Sequence, residues 1–345
     1  MPSSIVVVGS INLDLVCSGK RIPAPGETLK GDKFQTFHGG KGANQAVAVA
    51  RLGYGVNMIG KVGDDDFGKR LRQGLRDAGV GVRGVSTAKG VSSGVALITV
   101  AAGGQNSITV IPGANDQLRP RDLEDCLPQL RSAGMILTQL EIPMDTVECL
   151  GAIARRFDIP FMLDPAPVPA RPIPRKVLRN VTYLTPNETE TAALCGIAPG
   201  ELTPANVATF AELLLNTGPA NVIVKMGSQG AYIAAADGLR RMVPAFKVKA
   251  VDSTAAGDAF NAGLAVGLVR GMSLFEAVRY GSATGALSAT RAGAQTSMPE
   301  GREVTRMLEA ADSRKPARAR ETNGKHSTPR ELEPLETPNV LQPQN

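Results

Sequence analysis

Asp258 follows Ala255-Ala256-Gly257 in a segment whose character changes halfway along. Residues 252–257 are small and turn-prone. Residues 258–269 are small and apolar, long enough for a buried helix. A loop running into a helix start offers unpaired N–H groups and the positive end of the helix dipole, which suits an anion. Gly257 lets a phosphate approach the backbone closely. A carboxylate at such a place is either an ordinary first-turn residue or a base aimed at a hydroxyl beside a held phosphate. The segment by itself leaves both readings open.

Other candidates stand where a parallel sheet would bring them together. Residues 5–8 form a β-branched run ending at Gly9, the pattern of a buried parallel strand. Asn12 and Asp14 sit in the turn expected after it, either as a plain Asx turn or at the strand end where open α/β sheets bind ligands. His38-Gly39-Gly40-Lys41-Gly42-Ala43-Asn44-Gln45 leads into an Ala/Val helix closed at Gly53. Its glycines bring backbone close to a ligand, and Lys41 and Asn44 offer donors. Asn44 and Gln45 are hard to explain by packing alone, which favours a binding role. Glu141 follows an expected strand over 135–140. Two other glycine patterns are rejected. At 55–61 a G-x-x-x-x-G-K is followed by Val62 where a phosphate loop needs Ser or Thr, and at 79–84 a G-x-G-x-x-G follows a helix and opens none.

The surrounding pattern supplies the frame. Residues 16–37 alternate and are broken by Gly and Pro, and 93–100 with 107–111 read as a hairpin, so these stretches predict a small sheet outside the main one. Helices are expected over 67–78, 121–130, 145–157, 205–217, 274–287 and 299–311. Strands are expected over 160–163, 181–184 and 221–225, with a second hairpin over 232–236 and 239–243. Repeated strand–helix units predict an α/β fold with a mostly parallel sheet covered on both faces. Beyond residue 311 the chain turns Pro-rich and charged, which predicts a disordered tail over 312–345 behind a domain of 1–311.

The totals narrow the class. The chain has 345 residues, 43% hydrophobic and 20% charged, as in an ordinary globular protein. A net charge of +6 with only 4% aromatics and no basic block in the folded part gives no support for nucleic acid. No stretch reaches the ~18–20 apolar residues that span a bilayer. Cys17, Cys126, Cys149 and Cys195 are scattered without a C-x-x-C, and the N-terminal residues carry no secretion signal, so a reduced, cytoplasmic protein is expected. With only two histidines, His38 and His326, a zinc site of the usual kind is not expected.

Taken in order, G-S-I-N-L-D, P-A-P-G-E-T, G-G-K-G-A-N-Q-A, V-G-D-D-D-F-G, P-G-A-N, L-D-P-A-P, T-P-N-E-T-E, G-S-Q-G-A and D-S-T-A-A-G-D-A-F-N-A-G resemble the ribokinase–PfkB family of carbohydrate kinases. The resemblance covers about residues 4–310. It implies a three-layer α/β/α domain with a small β-sheet lid, the lid strands lying within about 16–37 and 93–111, and a homodimer formed through the lid. It also implies transfer of the γ-phosphoryl of ATP to the 5-hydroxyl of D-ribose. The alternatives are a sibling kinase for deoxyribose, another sugar or a nucleoside, and a non-catalytic sugar-binding regulator, which would be expected to lack Asp258 or Gly257.

Site roles follow from the same resemblance. Asn12, Asp14, Gly40, Lys41, Gly42, Ala43, Asn44 and Glu141 match sugar-binding positions. Asp258 matches the catalytic base, and the N–H groups of Ala255, Ala256, Gly257 and Asp258 match an anion hole. Lys225, Met226, Gly227, Ser228, Gln229, Gly230 and Ser282 match nucleotide-binding positions. Asn187 and Glu190 match an N-x-x-E motif that places Mg²⁺ largely through water, Asn187 also meeting the nucleotide. Asp252, Thr254, Ser288, Arg291, Gly293 and Ser297 match a site for a monovalent cation, K⁺. Lys225 departs from the smaller hydroxyl residue common at its position. It is expected either to reach an ATP phosphate or to cover the adenine pocket.

Overall fold

The computed structural model describes residues 4–313. The alternation within the first strand sets the layering. β1 (Ile5–Val8) sends Ile5 and Val7 into one apolar cluster and Val6 and Val8 into another, all four fully buried. Each cluster is roofed by helices, so the sheet is the middle of three layers.

The chain leaves β1 for a lid strand, β2 (Asn12–Gly19), returns along β3 (Lys33–Gly39) and enters α1 (Lys41–Arg51). β4 (Val56–Gly63), α2 (Asp66–Asp77) and β5 (Gly81–Ala88) complete one wing of the main sheet. A second lid hairpin follows, β6 (Gly94–Ala101) with β7 (Asn106–Ile111). Then come α3 (Pro120–Asp125), α4 (Leu127–Arg131), β8 (Met135–Thr138), α5 (Met144–Arg156), β9 (Phe161–Leu163), α6 (Arg175–Leu178), β10 (Tyr183–Leu184), α7 (Glu188–Cys195), α8 (Val207–Leu215) and β11 (Asn221–Lys225). β12 (Ala231–Ala235) and β13 (Arg240–Val243) form an edge hairpin before α9 (Ala256–Val269), α10 (Leu274–Ser288) and α11 (Gly301–Ser313).

The main sheet runs β13-β12-β11-β10-β9-β8-β1-β4-β5, parallel from β11 to β5. The lid sheet runs β3-β2-β6-β7. α1, α2, α9, α10 and residues of α11 roof one face; α3 to α6 and α8 roof the other. Described residues 4–308 belong to one compact unit, and a second begins at Glu309. Described residues 309–313 of that second unit are the last of α11, so the helix passes the expected boundary at 311. The rest of the expected 312–345 tail lies outside the described residues.

Several expectations change. Asn12 and Asp14 are not in a turn after β1. They lie on the first lid strand, because N-L-D-L alternates, with Leu13 buried and only Gly9, Ser10 and Ile11 making the crossing. Residues 81–88 are a strand at the sheet edge, which their glycines disguise. The helix expected over 121–130 is broken at Cys126, where Pro128 opens a second short helix and supplies no N–H to continue the first.

The start of α1 is pressed against β1. A Cβ on Gly42 would lie 2.7 Å from Gly9 C and 2.8 Å from Ser10 N, both backbone atoms that cannot yield singly. In an exposed helix Gly→Ala stabilises by up to about 1 kcal/mol. Here Gly42→Ala is expected to do the reverse, lowering stability by about 1–3 kcal/mol as helix and strand are forced apart. Thermal unfolding of the variant checks the sign.

Candidate active site

The parallel strands deliver their carboxyl ends to one edge, where such sheets bind ligands. Gln139 and Glu141 follow β8, Asp164 follows β9, Asn187 and Glu190 open α7 just beyond β10, and Lys225 ends β11. Opposite them start two helices. α1 begins after Gly40, whose φ of 87° and approach to Asn12 N, 2.7 Å from a would-be Cβ, admit only glycine. α9 begins after Ala255, which is left-handed at φ 58° and gives no side-chain cap. Of the anion-hole groups expected, the N–H of Ala256 is turned back to Ser253 O at 3.1 Å. Those of Gly257 and Asp258 open the helix without a side-chain cap.

Asp258 is 5% exposed. Its Oδ2 accepts from Asn44 Nδ2 at 3.0 Å, and Gln45 Nε2 donates to Oδ1. Burial raises its pKa to about 6; Lys41 and the two amides pull it down, and Asp164 pushes it up. Burial works to lower the Lys41 pKa, but Asp258, Asp164, Glu141 and Glu190 together hold it above the usual lysine value, so it stays an ammonium. Asp14 is raised to about 7, first by burial and then by Glu141. Gly39 makes room for it, since a Cβ there would lie 2.3 Å from Asp14 Oδ2.

Asn12 Oδ1 accepts from Asn115 Nδ2 at 2.7 Å, and Asn115 Oδ1 accepts from Ile11 N–H at 2.9 Å, so the first lid strand is fastened at its root. Glu141 accepts from Ser10 Oγ and from the Lys41 N–H at 3.2 Å, joining the crossing out of β1 to the start of α1. Asn44 Oδ1 is buried with no protein partner, a polar atom left for a ligand.

Beyond Asp258 opens a cavity of about 550 Å³ reached by Lys225, Gly227, Ser228, Gly230, Gly257 and Ser282, with Phe246 and Val248 on its apolar wall. Lys225 Nζ lies 3.0 Å from Asp164 Oδ1 and 3.6 Å from a would-be Cβ on Gly257. It therefore sits where the cavity meets the start of α9. Met226 is 1% exposed and packs in the core, so only its backbone faces this loop, and Gln229 does not line the cavity. Ser282 does line it, but its hydroxyl is spent on Val278 O at 2.9 Å.

Asn187 and Glu190 cap α7 reciprocally: Asn187 Oδ1 accepts from Glu190 N–H, and Glu190 accepts from the Asn187 N–H, both at 2.8 Å. Burial raises the Glu190 pKa, against the pull of Lys225. Direct metal ligands are sparse, with no cluster of three or more His, Cys, Asp or Glu among the described residues. Near the α9 start, Asp252 accepts from the N–H groups of Thr254 and Gly293, both at 2.9 Å, and the buried Ser288 and Ser297 hydroxyls are 2.7 Å apart. These groups offer oxygen donors, the kind that a hard cation takes. The Arg291 guanidinium is paired with Glu303 and can add only its carbonyl.

The fold thus gathers Asn12, Asp14, Gly40, Lys41, Gly42, Ala43, Asn44, Glu141 and Asp258 at one place. Sequence reading passed over Asp164, Gln139, Ser10 and Asn115. Asp164 carried the same signal as Glu141, a carboxylate directly after a buried strand. The others gave none, because their partners are 94 to 131 residues away.

In the roles that the family resemblance implies, Asp258 as base and Asp14 as acceptor from sugar hydroxyls, both carboxylates must be ionised. kcat/KM for the sugar is therefore expected to fall as pH drops through about 7 and again through about 6, approaching a two-proton slope. In kcat, with Asp14 engaged by sugar, the limb near 6 should remain. Initial rates from pH 5 to 8 test this.

The pattern of the pfkB family of carbohydrate kinases matches residues 2–301, and the chain belongs to that family. It is 40% identical over 309 residues to the ribokinase of Bacillus subtilis, covering 88% of this chain and 99% of the relative. Against the deoxyribokinase of Salmonella typhimurium it is 37% identical over 295 residues, 86% of this chain and 95% of the relative. Its fold matches that of Arabidopsis thaliana ribokinase complexed with ribose and ATP with a TM-score of 0.84 and 33% identity, over 90% of this chain and 99% of that one.

Proposed function

We propose that the chain transfers the γ-phosphoryl group of ATP to the 5-hydroxyl of D-ribose, giving D-ribose 5-phosphate and ADP. The observation that carries this is the buried Asp258 carboxylate, standing between the Asp14–Lys41–Asn44–Glu141 cluster and the cavity beside Lys225 and Gly257. Asn12, Asp14, Lys41, Asn44 and Glu141 hold the sugar, with close backbone at Gly40, Gly42 and Ala43. Asp258 takes the 5-hydroxyl proton as that oxygen bonds to the γ-phosphorus and the bond to the β–γ bridging oxygen breaks. The Gly257 and Asp258 N–H groups and the Lys225 ammonium face the charge that gathers on the transferring group. Such chemistry depends on positioning and charge neutralisation, and the lid keeps out water that would compete as acceptor.

An ATP-dependent kinase of this kind works with a divalent cation. In this reading it is Mg²⁺, held through water by Asn187 and Glu190, and when bound it neutralises phosphate charge. Oxygens of Asp252, Thr254, Ser288, Arg291, Gly293 and Ser297 would hold K⁺ beside the loop that opens α9. Homodimerisation through the lid is supported by its exposed apolar side chains, Phe34, Leu97, Ile108, Val110 and Ile111. A cytoplasmic location is supported by the four cysteines, all free. No helix among the described residues is long and apolar enough to cross a membrane.

ADP release with D-ribose, 2-deoxyribose, fructose and adenosine, with and without K⁺, tests the reading. Ribose-selective turnover raised by K⁺ is expected. Fast turnover on another acceptor alone would move the function to a sibling kinase.

A further inference from the structure

We propose that Gln45 is a positioning residue for the reaction, fixing the orientation of the Asp258 carboxylate and tying it to the Asp164–Lys225 pair. The inference rests on the reading of Asp258 as the base. Gln45 is the fifth residue of α1, at the start of its second turn, and is 1% exposed. Its amide nitrogen carries two hydrogens and has two acceptors, Asp258 Oδ1 and Asp164 Oδ2, each at 3.1 Å. Its carbonyl oxygen accepts from Gln139 Nε2 at 2.8 Å. The two carboxylates select the amide orientation, because a flipped amide would turn its oxygen toward both of them.

The other oxygen of each carboxylate is also engaged: Asp258 with Asn44 Nδ2 and Asp164 with Lys225 Nζ, both at 3.0 Å. One amide thus couples the group that would receive the sugar proton to the ammonium that faces the phosphate. Packing alone does not call for glutamine here. The positions of α1 that follow it, 46–50, are Ala and Val, and a leucine fills a similar volume in such a place. What leucine lacks is the NH₂ between two carboxylates that otherwise repel. The charged groups acting on Asp258 are Lys41 from α1 and Asp164 from the end of β9. Lys225 from β11 acts through Asp164, and Glu141 and Glu190 act through Lys41.

The test compares Gln45→Leu, Gln45→Glu and Asp258→Asn with the wild type: kcat, KM for ribose and ATP, the pH profile of kcat, and thermal unfolding. Gln45→Leu is expected to lose about 10- to 100-fold in kcat, the scale of a misplaced reacting group. Both KM values should stay within about threefold, because Gln45 lies behind the base and touches neither substrate. The acid limb of kcat should move up by about one pH unit, as a lost donor no longer favours the ionised form. Gln45→Glu keeps the shape, adds a third carboxylate and should move the limb further. It carries the test if the leucine variant fails to fold. Unchanged kcat and limb in a folded variant would overturn the proposal, and so would a lower kcat with an unmoved limb. Normal turnover by Asp258→Asn would remove the base reading itself. An inactive Asp258→Asn beside normal Gln45 variants would defeat this inference alone.

Discussion

Asp258→Asn is expected to abolish most sugar phosphorylation while leaving the fold intact. The amide keeps the size of the carboxylate but cannot take a proton. A positioned general base contributes ~10²–10⁴-fold, and kcat should fall at least that far. Stability should not fall with it. The folded-state pKa of Asp258 is raised to about 6. The fold therefore holds this proton more tightly than the unfolded chain does. The stability this group adds is present at low pH and is lost as pH rises from the unfolded value, about 4, through about 6. At pH 7 the ionised carboxylate is a burden on the fold, and a neutral amide should match or raise the unfolding temperature. Loss of kcat with an undiminished thermal midpoint is the expected pair of results. Near-wild-type kcat would mean the base lies elsewhere.

Asp14→Ala is expected to act on the other substrate term. Asp14 reaches the site from the lid strand, in register with Phe37 of β3 and Ala96 of β6. In the proposed reading it accepts from two vicinal hydroxyls. Hydrogen bonds to charged groups contribute about 1.5–3 kcal/mol each. Losing two corresponds to ~10²–10⁴-fold in kcat/KM for ribose at about 1.4 kcal/mol per decade. KM for ATP should hardly change, because the nucleotide cavity lies on the far side of Asp258. The step near pH 7 in the sugar profile should vanish with the side chain, leaving only the limb near 6. An unchanged KM for ribose would remove Asp14 from the sugar site.

Much of this arrangement was readable from the sequence where local pattern and chemistry coincide. The small-residue loop before Asp258 and the apolar run after it gave α9 nearly to the residue, because turn propensity and helix periodicity agree there. The G-G-K-G-A-N-Q stretch gave the start of α1 for the same reason. Asn12 and Asp14 were placed at the site but in the wrong element. Their turn propensity competes with the alternation of N-L-D-L, and pairing on both sides by β3 and β6 decides for a strand. Residues 81–88 joined the sheet unannounced, since their glycines hide a strand completed by pairing with β4. The long-range partners were out of reach altogether. Nothing within a short window of Gln139 or Asn115 says that one will meet Gln45 and the other Asn12. Lys225 was likewise out of reach, since only the fold sets its ammonium beside the Asp164 carboxylate.

In the proposed reaction Asp258 directs the phosphoryl group to the primary hydroxyl of the sugar. The most direct measurement is phosphorus–proton correlation NMR of the product formed from D-ribose and Mg-ATP by the full chain. The expected result is one phosphomonoester whose phosphorus couples to the two C5 protons, with ADP in equal amount. Phosphate on another ribose carbon, or free phosphate in place of a sugar ester, would contradict it.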